Sequence, residues 1–484
     1  MRRMFGSFAV AAMTFVVSVS VLQAQPPANA GKENAGKGKG RGRQPGPPGP
    51  VPRLSDGKPD LTGIWNWDET RMQSQDTPEM LPWAQKIYEQ ARATSSANDF
   101  EVRCLPGGPP RSAPYHTALF STPKLVVMYF EGNTHMYRLF YVDGSDHPED
   151  LKPTFYGDSR AHWDGDTLVV DTIGFTDISW IDGAGHPHTK QMHLTERFRR
   201  VDYGNLDETV TIDDPGAYVK SWSQDRLISL DPKLPLTDYV CNENNQDPGH
   251  IDAAYGRQEK QLSDGVPTPV AKRPPPPPSG PTPHSATGNV DLSGVWVLAG
   301  SANLPSDPSY QPWAKKIYEE RKADKQKGDP ERFCLPDGPV RVTRLPYQIV
   351  QRPEKILLLS QGNIHSFRTF YLDGRPHDPF VEFDPDTFDG NSIAKWDGDT
   401  LVVDTVSLND KTWLDPTGKP HSDQLHIIER YSRPDLGRLE VQTTLEDPKA
   451  FSQPYTFKRV FTLAPAWHLD EYVCQAILEG IEKL

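Results

Sequence analysis

The chain has 484 residues and a formal net charge of −13, from 65 acidic and 52 basic side chains. Binding to nucleic acid phosphates requires clustered Lys and Arg on the folded domains. The acidic balance therefore argues against nucleic acid as a partner, and otherwise favours solubility.

The N-terminus has the pattern of a secretory signal peptide over residues 1–24. Arg2 and Arg3 supply a positive region, residues 5–22 are apolar, and Leu22-Gln23-Ala24 fits a cleavage site. The alternative is a membrane anchor, because the apolar stretch is close to the shortest length that spans a bilayer. We expect cleavage, which leaves a periplasmic or extracellular protein without a membrane span.

Two proline-rich segments divide the rest of the chain. Residues 25–53 combine Pro, Gly, Lys and Arg with almost no large apolar side chains, which is typical of a disordered tether. Residues 263–289 contain five consecutive prolines, which favour an extended spacer. We therefore predict two domains, 54–262 and 290–484, held apart by this spacer or at least not tightly fused.

The two domains are copies of each other. The run from Trp163 to Thr172, which reads Trp-Asp-Gly-Asp-Thr-Leu-Val-Val-Asp-Thr, returns at 396–405 with an offset of 233. Pro82-Trp83-Ala84 returns at 312–314 with an offset of 230. Such a period is far above the ~20–50 residues of solenoid and propeller repeats, so each copy is a whole domain. Residue types retained at matched positions are those that the fold or a site requires.

Each copy contains one early and one late cysteine. Cys104 and Cys334 begin a Cys-Leu-Pro sequence, and Cys241 and Cys474 end a Tyr-Val-Cys sequence. An even number in an exported chain predicts one disulfide per copy, Cys104–Cys241 and Cys334–Cys474. Metal binding by these cysteines is disfavoured because neither copy has a Cys-x-x-Cys pair.

The remaining pattern is mainly that of β-strands. Each copy opens with Asp-Leu-x-Gly-x-Trp and continues with a helix that starts at a proline. The predicted strands of copy one include 124–130, 135–142, 167–172, 192–201 and 206–212. The turns between them carry Gly, Asn and Asp, and Asp-Gly between β-rich runs indicates hairpins. Seven or eight such strands predict an up-and-down barrel or a sandwich.

Two resemblances sharpen this prediction. Gly63-Ile64-Trp65 and Gly294-Val295-Trp296 resemble the Gly-x-Trp start of lipocalin-like (calycin) barrels. The resemblance implies a mainly β fold of two tandem antiparallel lipocalin-like β-barrels, each with a short N-terminal helix and a ligand cavity at one mouth. The repeated Trp-Asp-Gly-Asp block resembles an uncharacterised family of exported bacterial proteins, which implies no activity. Tandem lipocalin-like hydratases offer an analogy for the architecture alone.

Strand alternation selects an Arg and a Glu in each copy. Arg138 shares a strand face with Met136 and Phe140, and Glu196 shares one with Leu194 and Phe198. Their matched residues in copy two are Arg368 and Glu429. Charges on apolar faces are rarely unpaired because desolvation is costly. The pair is therefore either a structural ion pair, or a site in which Arg binds an oxygen of a ligand and Glu acts as acid or base.

Histidine and tryptophan supply the other candidates. The histidines that recur in both copies are His135/His365, His147/His377, His188/His421 and His193/His426. Trp180 and Trp413 precede the His188 and His421 segments and are candidates to stack on a planar ligand. The histidine spacing matches no known metal-ligand pattern. There is also no phosphate loop or nucleotide fingerprint, so we expect neither a metal nor a cofactor.

Three functions remain open. The leading prediction is an exported protein that binds a small, partly apolar ligand. The ligand-binding candidates are Arg138, Arg368, Trp180, Trp413, His188, His421, His147 and His377. The second is a cofactor-independent lyase, isomerase or hydratase. Its acid–base candidates are Glu196, Glu429, His193 and His426. The third is a structural module that binds a protein or a glycan through its loops. The oligomeric state is left open.

Overall fold

The computed structural model describes residues 46–67, 73–74, 78–94, 96–97, 99–111, 116–132, 136–232, 236, 239–243, 245, 273–362, 366–377 and 387–478. The predicted signal peptide, His135 and His365 lie outside these residues.

Strands dominate both copies. Copy one contains β1 (Gly63–Trp67), β2 (Gln73–Ser74), α1 (Pro82–Ala93), β3 (Thr117–Ser121), β4 (Leu125–Phe130), β5 (Tyr137–Tyr141), β6 (Asp158–Asp164), β7 (Thr167–Ile173), β8 (His193–Asp202), β9 (Asn205–Asp213) and β10 (Trp222–Leu230). Copy two contains β11 (Gly294–Leu298), α2 (Pro312–Ala323), β12 (Tyr347–Gln351), β13 (Lys355–Ser360), β14 (Phe367–Tyr371), β15 (Asn391–Asp397), β16 (Thr400–Val406), β17 (His426–Asp435), β18 (Arg438–Glu446), β19 (Tyr455–Leu463) and α3 (Cys474–Leu478).

Each copy closes into a barrel of nine strands. In copy one, β1 pairs with β3 and with β10, and the short β2 is added to β10. In copy two, β11 to β19 form a closed barrel in chain order. The predicted mainly β fold of two tandem barrels is therefore confirmed, with nine strands instead of seven or eight.

One neighbouring pair in each barrel is parallel, which differs from the predicted antiparallel meander. β5 pairs parallel with β6, where Phe140 faces Ser159, and β14 pairs parallel with β15, where Phe370 faces Ser392. A closed ring with an odd number of strands cannot alternate direction throughout. The Asp143-Gly144 turn therefore opens a crossover to β6 instead of a hairpin.

The Gly-x-Trp elements position the first strand of each barrel. Trp65 and Trp296 are fully buried, and their indole N–H groups donate to the carbonyls of Leu61 and Leu292 at 3.0 and 2.9 Å. In copy one the guanidinium of Arg200 lies 5.0 Å from the Trp65 ring. The same aromatic–cation contact recurs in copy two, so it belongs to the shared fold.

The two barrels pack against each other within one compact unit, Gln44–Leu484. The outer faces of β3 to β5 and of β12 to β14 form a shared apolar cluster that includes Phe120, Tyr129, Leu357 and Phe367. Every residue of β4 is buried, because one face lines the barrel interior and the other meets the second barrel. The expectation that the proline spacer holds the domains apart was therefore wrong.

The chain end of copy two continues onto the first barrel. Val473 and Ala476 belong to the core of that barrel. The Glu471 carboxylate accepts hydrogen bonds from the backbone N–H groups of Phe155 and Tyr156, at 2.6 and 3.0 Å. This C-terminal arm brings the Cys474 region beside copy one.

Over the residues that the structure describes, no helix combines the length and the apolar character needed to cross a membrane.

Candidate functional site

The Arg and Glu selected by strand alternation meet inside each barrel. Arg138 on β5 donates from Nη1 and Nη2 to the two carboxylate oxygens of Glu196 on β8, at 3.0 and 2.7 Å. Both side chains are at most 2% exposed. Arg138 Nη2 also lies 3.4 Å from the hydroxyl oxygens of Ser159 and Thr172. The charge is thus held by a bidentate partner in the barrel interior.

The second barrel holds its pair in a different way. Arg368 Nη2 donates to Glu429 at 2.6 Å and to Thr405 Oγ1 at 3.2 Å. The other carboxylate oxygen of Glu429 accepts from the Tyr431 hydroxyl at 2.9 Å. Phe198 occupies the position of Tyr431 in the first barrel, so the two interiors are related but not identical.

Side chains fill the space around these pairs. In the first barrel the rings of Phe140 and Phe198 stack with centroids 5.9 Å apart, and both side chains are fully buried. Two cavities among the described residues lie elsewhere, at the seam between the barrels and beside the 334–341 loop. Neither is lined by Arg138 or Arg368, so a ligand cavity around these two residues stays a prediction.

A second buried charge network, which the strand pattern did not predict, lies in the first barrel. Glu208 accepts from Trp67 Nε1 at 3.0 Å and lies 3.5 Å from Arg226 Nη1. Burial raises the pKa of Glu208 above its ordinary value. Copy two has Leu298 and Val441 in place of Trp67 and Glu208. An alignment of the two copies shows this difference, because copy one has the charged Glu208 where copy two has the apolar Val441.

The predicted Glu–His acid–base pair does not form. Glu196 points into the barrel, whereas His193 is exposed. The same separation holds for Glu429, which is buried, and His426, which is partly exposed. The physical reason is strand alternation, since residues three apart on a strand lie on opposite faces.

The outer histidines instead meet an aspartate. In copy one, Asp171 on β7 contacts Nε2 of His147 at 3.2 Å and Nε2 of His193 through its other oxygen. His147 Nδ1 lies 2.6 Å from an oxygen of Asp158. His147 therefore links the crossover that follows β5 to strands β6 and β7.

Copy two repeats this arrangement. Asp404 contacts His377 Nε2 at 3.2 Å and His426 Nε2 at 2.9 Å. His426 Nδ1 lies 3.1 Å from Glu446. These contacts are hydrogen bonds between ring nitrogens and carboxylate oxygens. Within the described ranges, no group of three or more His, Cys, Asp and Glu side chains is arranged to hold a metal ion.

The Trp180 and Trp413 loops are packed instead of open. Trp180 and His188 are both buried, and His188 Nε2 lies 3.0 Å from the Ser179 hydroxyl. His421 makes the matched contact with Thr412 at 2.7 Å. Burial lowers the pKa of both histidines, which favours the neutral ring. In copy two, Trp413 and His421 also line the small cavity beside the 334–341 loop.

Both predicted disulfides are present. Cys104 bonds to Cys241 and Cys334 bonds to Cys474, each with Cα atoms 5.6 Å apart. The cysteines of both bridges line one pocket at the seam of the barrels. We call this the seam pocket.

The seam pocket is built by the same motif from both copies. Its lining comprises Tyr239–Asn242 of copy one, Tyr472–Gln475 of copy two, Cys104, Cys334 and Met136. All but Met136 fall into matched pairs, so the two copies contribute corresponding sequence positions to one wall. The lining is mainly apolar and sulfur-bearing, and the space that it leaves for a water-sized sphere is about 20 Å³, so the walls of the pocket lie close together.

Each lining segment, Tyr239–Asn242 and Tyr472–Gln475, begins with a tyrosine and ends with an amide side chain. Asn242 and Gln475 carry amide side chains at matched positions, and Asn242 Nδ2 lies 3.4 Å from the Cys334 carbonyl oxygen. Burial raises the pKa of Tyr472 to about 12, so its hydroxyl stays protonated at neutral pH. The pocket therefore combines apolar walls with neutral hydrogen-bonding groups, the usual make-up of a small-molecule site.

Comparisons with known proteins identify no family. No protein-family model and no curated protein matches the chain. A solved structure of a DUF3598 family protein of unknown function from Nostoc punctiforme is 8% identical, covers 72% of this chain and 86% of its own, and has a TM-score of 0.14. A putative thioesterase II from Thermobifida fusca is 10% identical, covers 56% of this chain and 72% of its own, and has a TM-score of 0.09.

Proposed function

We propose that the protein binds a small, partly apolar ligand in the seam pocket, and that the ligand is a flat aromatic molecule with a hydrogen-bonding oxygen at each end. The observation that carries the proposal is the pairing of Tyr239–Asn242 with Tyr472–Gln475 around one mainly apolar pocket. The two amide side chains of the lining, Asn242 and Gln475, suit a ligand that carries two hydrogen-bonding oxygens.

The pocket supports this role better than the barrel interiors do. The interior charges of Arg138 and Arg368 are already paired with Glu196 and Glu429, and aromatic side chains surround them. The seam lining includes two disulfides and Met136, and sulfur makes favourable contacts with aromatic rings. An aromatic ligand therefore finds complementary surface at the seam.

The pocket also explains why the chain is a tandem repeat. Each copy supplies half of the lining, so neither domain alone forms the site. The disulfides hold each half of the wall onto its own barrel. A catalytic role is not supported, because Glu196 and His193 lie on opposite faces of their strand.

The proposal is tested by titrating the full chain with hydroquinone, phenol and benzene under argon and following binding by calorimetry. Hydroquinone presents two oxygens, phenol one and benzene none. We expect affinity to rise by about fivefold for each added oxygen, since one hydrogen bond contributes roughly 1 kcal/mol. Failure of all three probes to bind would contradict the proposal.

Variants locate the binding. Val240→Trp should fill the pocket from its partly exposed rim and abolish binding of all three probes. Asn242→Leu should remove the preference for hydroquinone over phenol while benzene binds as before. Val219→Trp is the matched control, because Val219 is exposed away from the seam. Binding that survives Val240→Trp would show that the site lies elsewhere.

A further inference from the structure

We infer that the side-chain amine of Lys355 is a reactive site that binds a small neutral aldehyde covalently, as a Schiff base. Lys355 does not belong to the lining of the seam pocket, so this inference is independent of the function proposed for that pocket. Leu125 occupies the matched position in copy one, so the site occurs once in the chain.

The start of strand β13 directs Lys355 towards the first barrel. Lys355 is the first residue of β13 and lies opposite Tyr371 of β14. Alternate residues of a strand share a face, and Leu357 on the Lys355 face belongs to the apolar cluster between the barrels. The Lys355 nitrogen lies 5.7 Å from the ring centres of Phe120, in copy one, and of Tyr371. Lys355 is partly exposed, as a site for a molecule from solution requires.

Arginines hold the acidic side chains beside this site. Arg352 Nε donates to a carboxylate oxygen of Glu354 at 2.7 Å. Arg375 Nη2 donates to a carboxylate oxygen of Asp373 at 2.5 Å. Over the described part of the chain, no ion pair or hydrogen bond connects the Lys355 amine with a carboxylate. The amine therefore lacks the partner that usually holds a lysine in its charged form.

Each aromatic ring that Lys355 contacts also carries an arginine. The guanidinium carbon of Arg352 lies 5.7 Å from the centre of the Phe120 ring. That of Arg375 lies 4.0 Å from the centre of the Tyr371 ring. Two positive charges thus lie close to the amine, and like charges disfavour a third.

The neutral form of the amine is favoured in these surroundings. Burial lowers the pKa of Lys355, because the charged form loses hydration. The charges of Arg375 and Arg352 lower this pKa further, by repulsion. Tyr371 and Glu354 oppose the shift but do not reverse it. A neutral amine has a free lone pair, and lysines in apolar sites or beside other cations are activated as nucleophiles in this way.

The proposed reaction is a condensation that needs neither an oxidant nor a reductant. The amine nitrogen attacks the carbonyl carbon of the aldehyde, and a C–N bond forms. The carbonyl oxygen leaves as water together with the two hydrogens of the neutral amine, so an imine remains on Lys355. An aldehyde with an apolar or aromatic tail is favoured, because the rings of Phe120 and Tyr371 lie beside the amine.

The test treats the full chain with benzaldehyde and cyanoborohydride, which reduces an imine to a stable amine, and maps the labelled lysines by mass spectrometry across a pH series. Lys316, which is 76% exposed, is the reference within the same chain. We expect labelling of Lys355 to be half-maximal at a lower pH than labelling of Lys316. At neutral pH Lys355 should react about tenfold faster, since each unit of lowered pKa raises the neutral fraction about tenfold. Lys419, which is buried and bonded to Asp415 at 2.9 Å, should stay unlabelled.

Variants separate the effect of charge from that of access. Arg375→Gln removes a neighbouring cation, so labelling of Lys355 should become half-maximal at a higher pH and slow down at neutral pH. Arg430→Gln is the matched control, because Arg430 is similarly exposed and pairs with Asp397 elsewhere on the second barrel. It should leave the labelling of Lys355 unchanged. Equal pH profiles for Lys355 and Lys316, or a Lys355 that stays unlabelled at every pH, would overturn the inference.

Discussion

Arg138 and Glu196 join two strands across the interior of the first barrel through two parallel hydrogen bonds of 3.0 and 2.7 Å. β5 and β8 are not neighbours in the sheet, since β6 and β7 lie between them. The pair therefore fixes the diameter and register of the barrel from within. Its burial and the bidentate pairing of its charges favour the structural interpretation over a role in ligand binding.

The ion pair gives the first prediction. Glu196→Gln should lower the free energy of unfolding by about 3–5 kcal/mol, because it leaves the Arg138 charge buried without a carboxylate. Chemical denaturation followed by tryptophan fluorescence measures the loss. The double variant Arg138→Met with Glu196→Leu should recover most of it, since apolar residues of similar size replace the whole pair. Unchanged stability in Glu196→Gln together with lost hydroquinone binding would instead favour a functional role.

Asp337 gives a pH-dependent prediction for copy two. It is buried in the 334–341 loop, with Arg341 Nε 4.0 Å from its carboxylate, and Gly107 takes its place in copy one. Burial raises the pKa of Asp337 to about 6. A carboxyl group whose pKa is raised by folding contributes stability below its ordinary pKa, and that contribution is lost as pH rises through about 6.

Asp337→Asn should remove the loss of stability that occurs as pH rises through the Asp337 pKa. The variant should be more stable than the parent by about 2–3 kcal/mol at pH values well above the Asp337 pKa. Well below the ordinary carboxyl pKa the two proteins should unfold alike. Denaturation midpoints measured across this range give the comparison. Glu208→Gln should show the same sign in the first barrel, because burial also raises the pKa of Glu208. If the variant and the parent differ in stability by the same amount at every pH, the titration of Asp337 is not the cause of the difference.

The extent to which the sequence predicts this structure depends on the range of the contacts. The strands 167–172, 192–201 and 206–212 lie within two residues of β7, β8 and β9, since alternation and Gly-containing turns are local signals. The inward direction of Arg138 and Glu196 follows from alternation as well. The same rule, applied to the spacing of His193 and Glu196, predicts opposite faces and would have excluded that acid–base pair.

The contacts between the two copies could not be predicted from local sequence patterns. Val240 and Val473 line one pocket although they are 233 residues apart, and only the packing of the barrels brings them together. A signal for that packing was present in Leu125–Phe130, an apolar run without alternation. Such runs are typical of strands that are buried on both faces. The position of the seam could have been predicted from it, whereas the lining of the pocket could not.

The seam itself is held by an ion pair that gives the third prediction. Arg352 of copy two donates to both carboxylate oxygens of Asp60 in copy one, at 3.0 and 2.8 Å, and to the Thr62 hydroxyl at 2.9 Å. Thr122 occupies the matched position in copy one, so the contact occurs once. Burial alone would raise the pKa of Asp60, but the Arg352 hydrogen bonds outweigh it and hold the pKa below its ordinary value.

Arg352→Met should lower the free energy of unfolding by about 2–3 kcal/mol at neutral pH, because the Asp60 carboxylate stays largely buried without its partner. A carboxyl group with a lowered pKa contributes stability that is lost as pH falls, so the variant and the parent should converge in acid. Arg53→Met is the matched control. Arg53 pairs with Asp166 at 2.7 Å, but the two side chains are 45% and 57% exposed, and its loss should leave the free energy of unfolding nearly unchanged. If the two variants behave alike at neutral pH, the Arg352–Asp60 contact does not stabilise the seam.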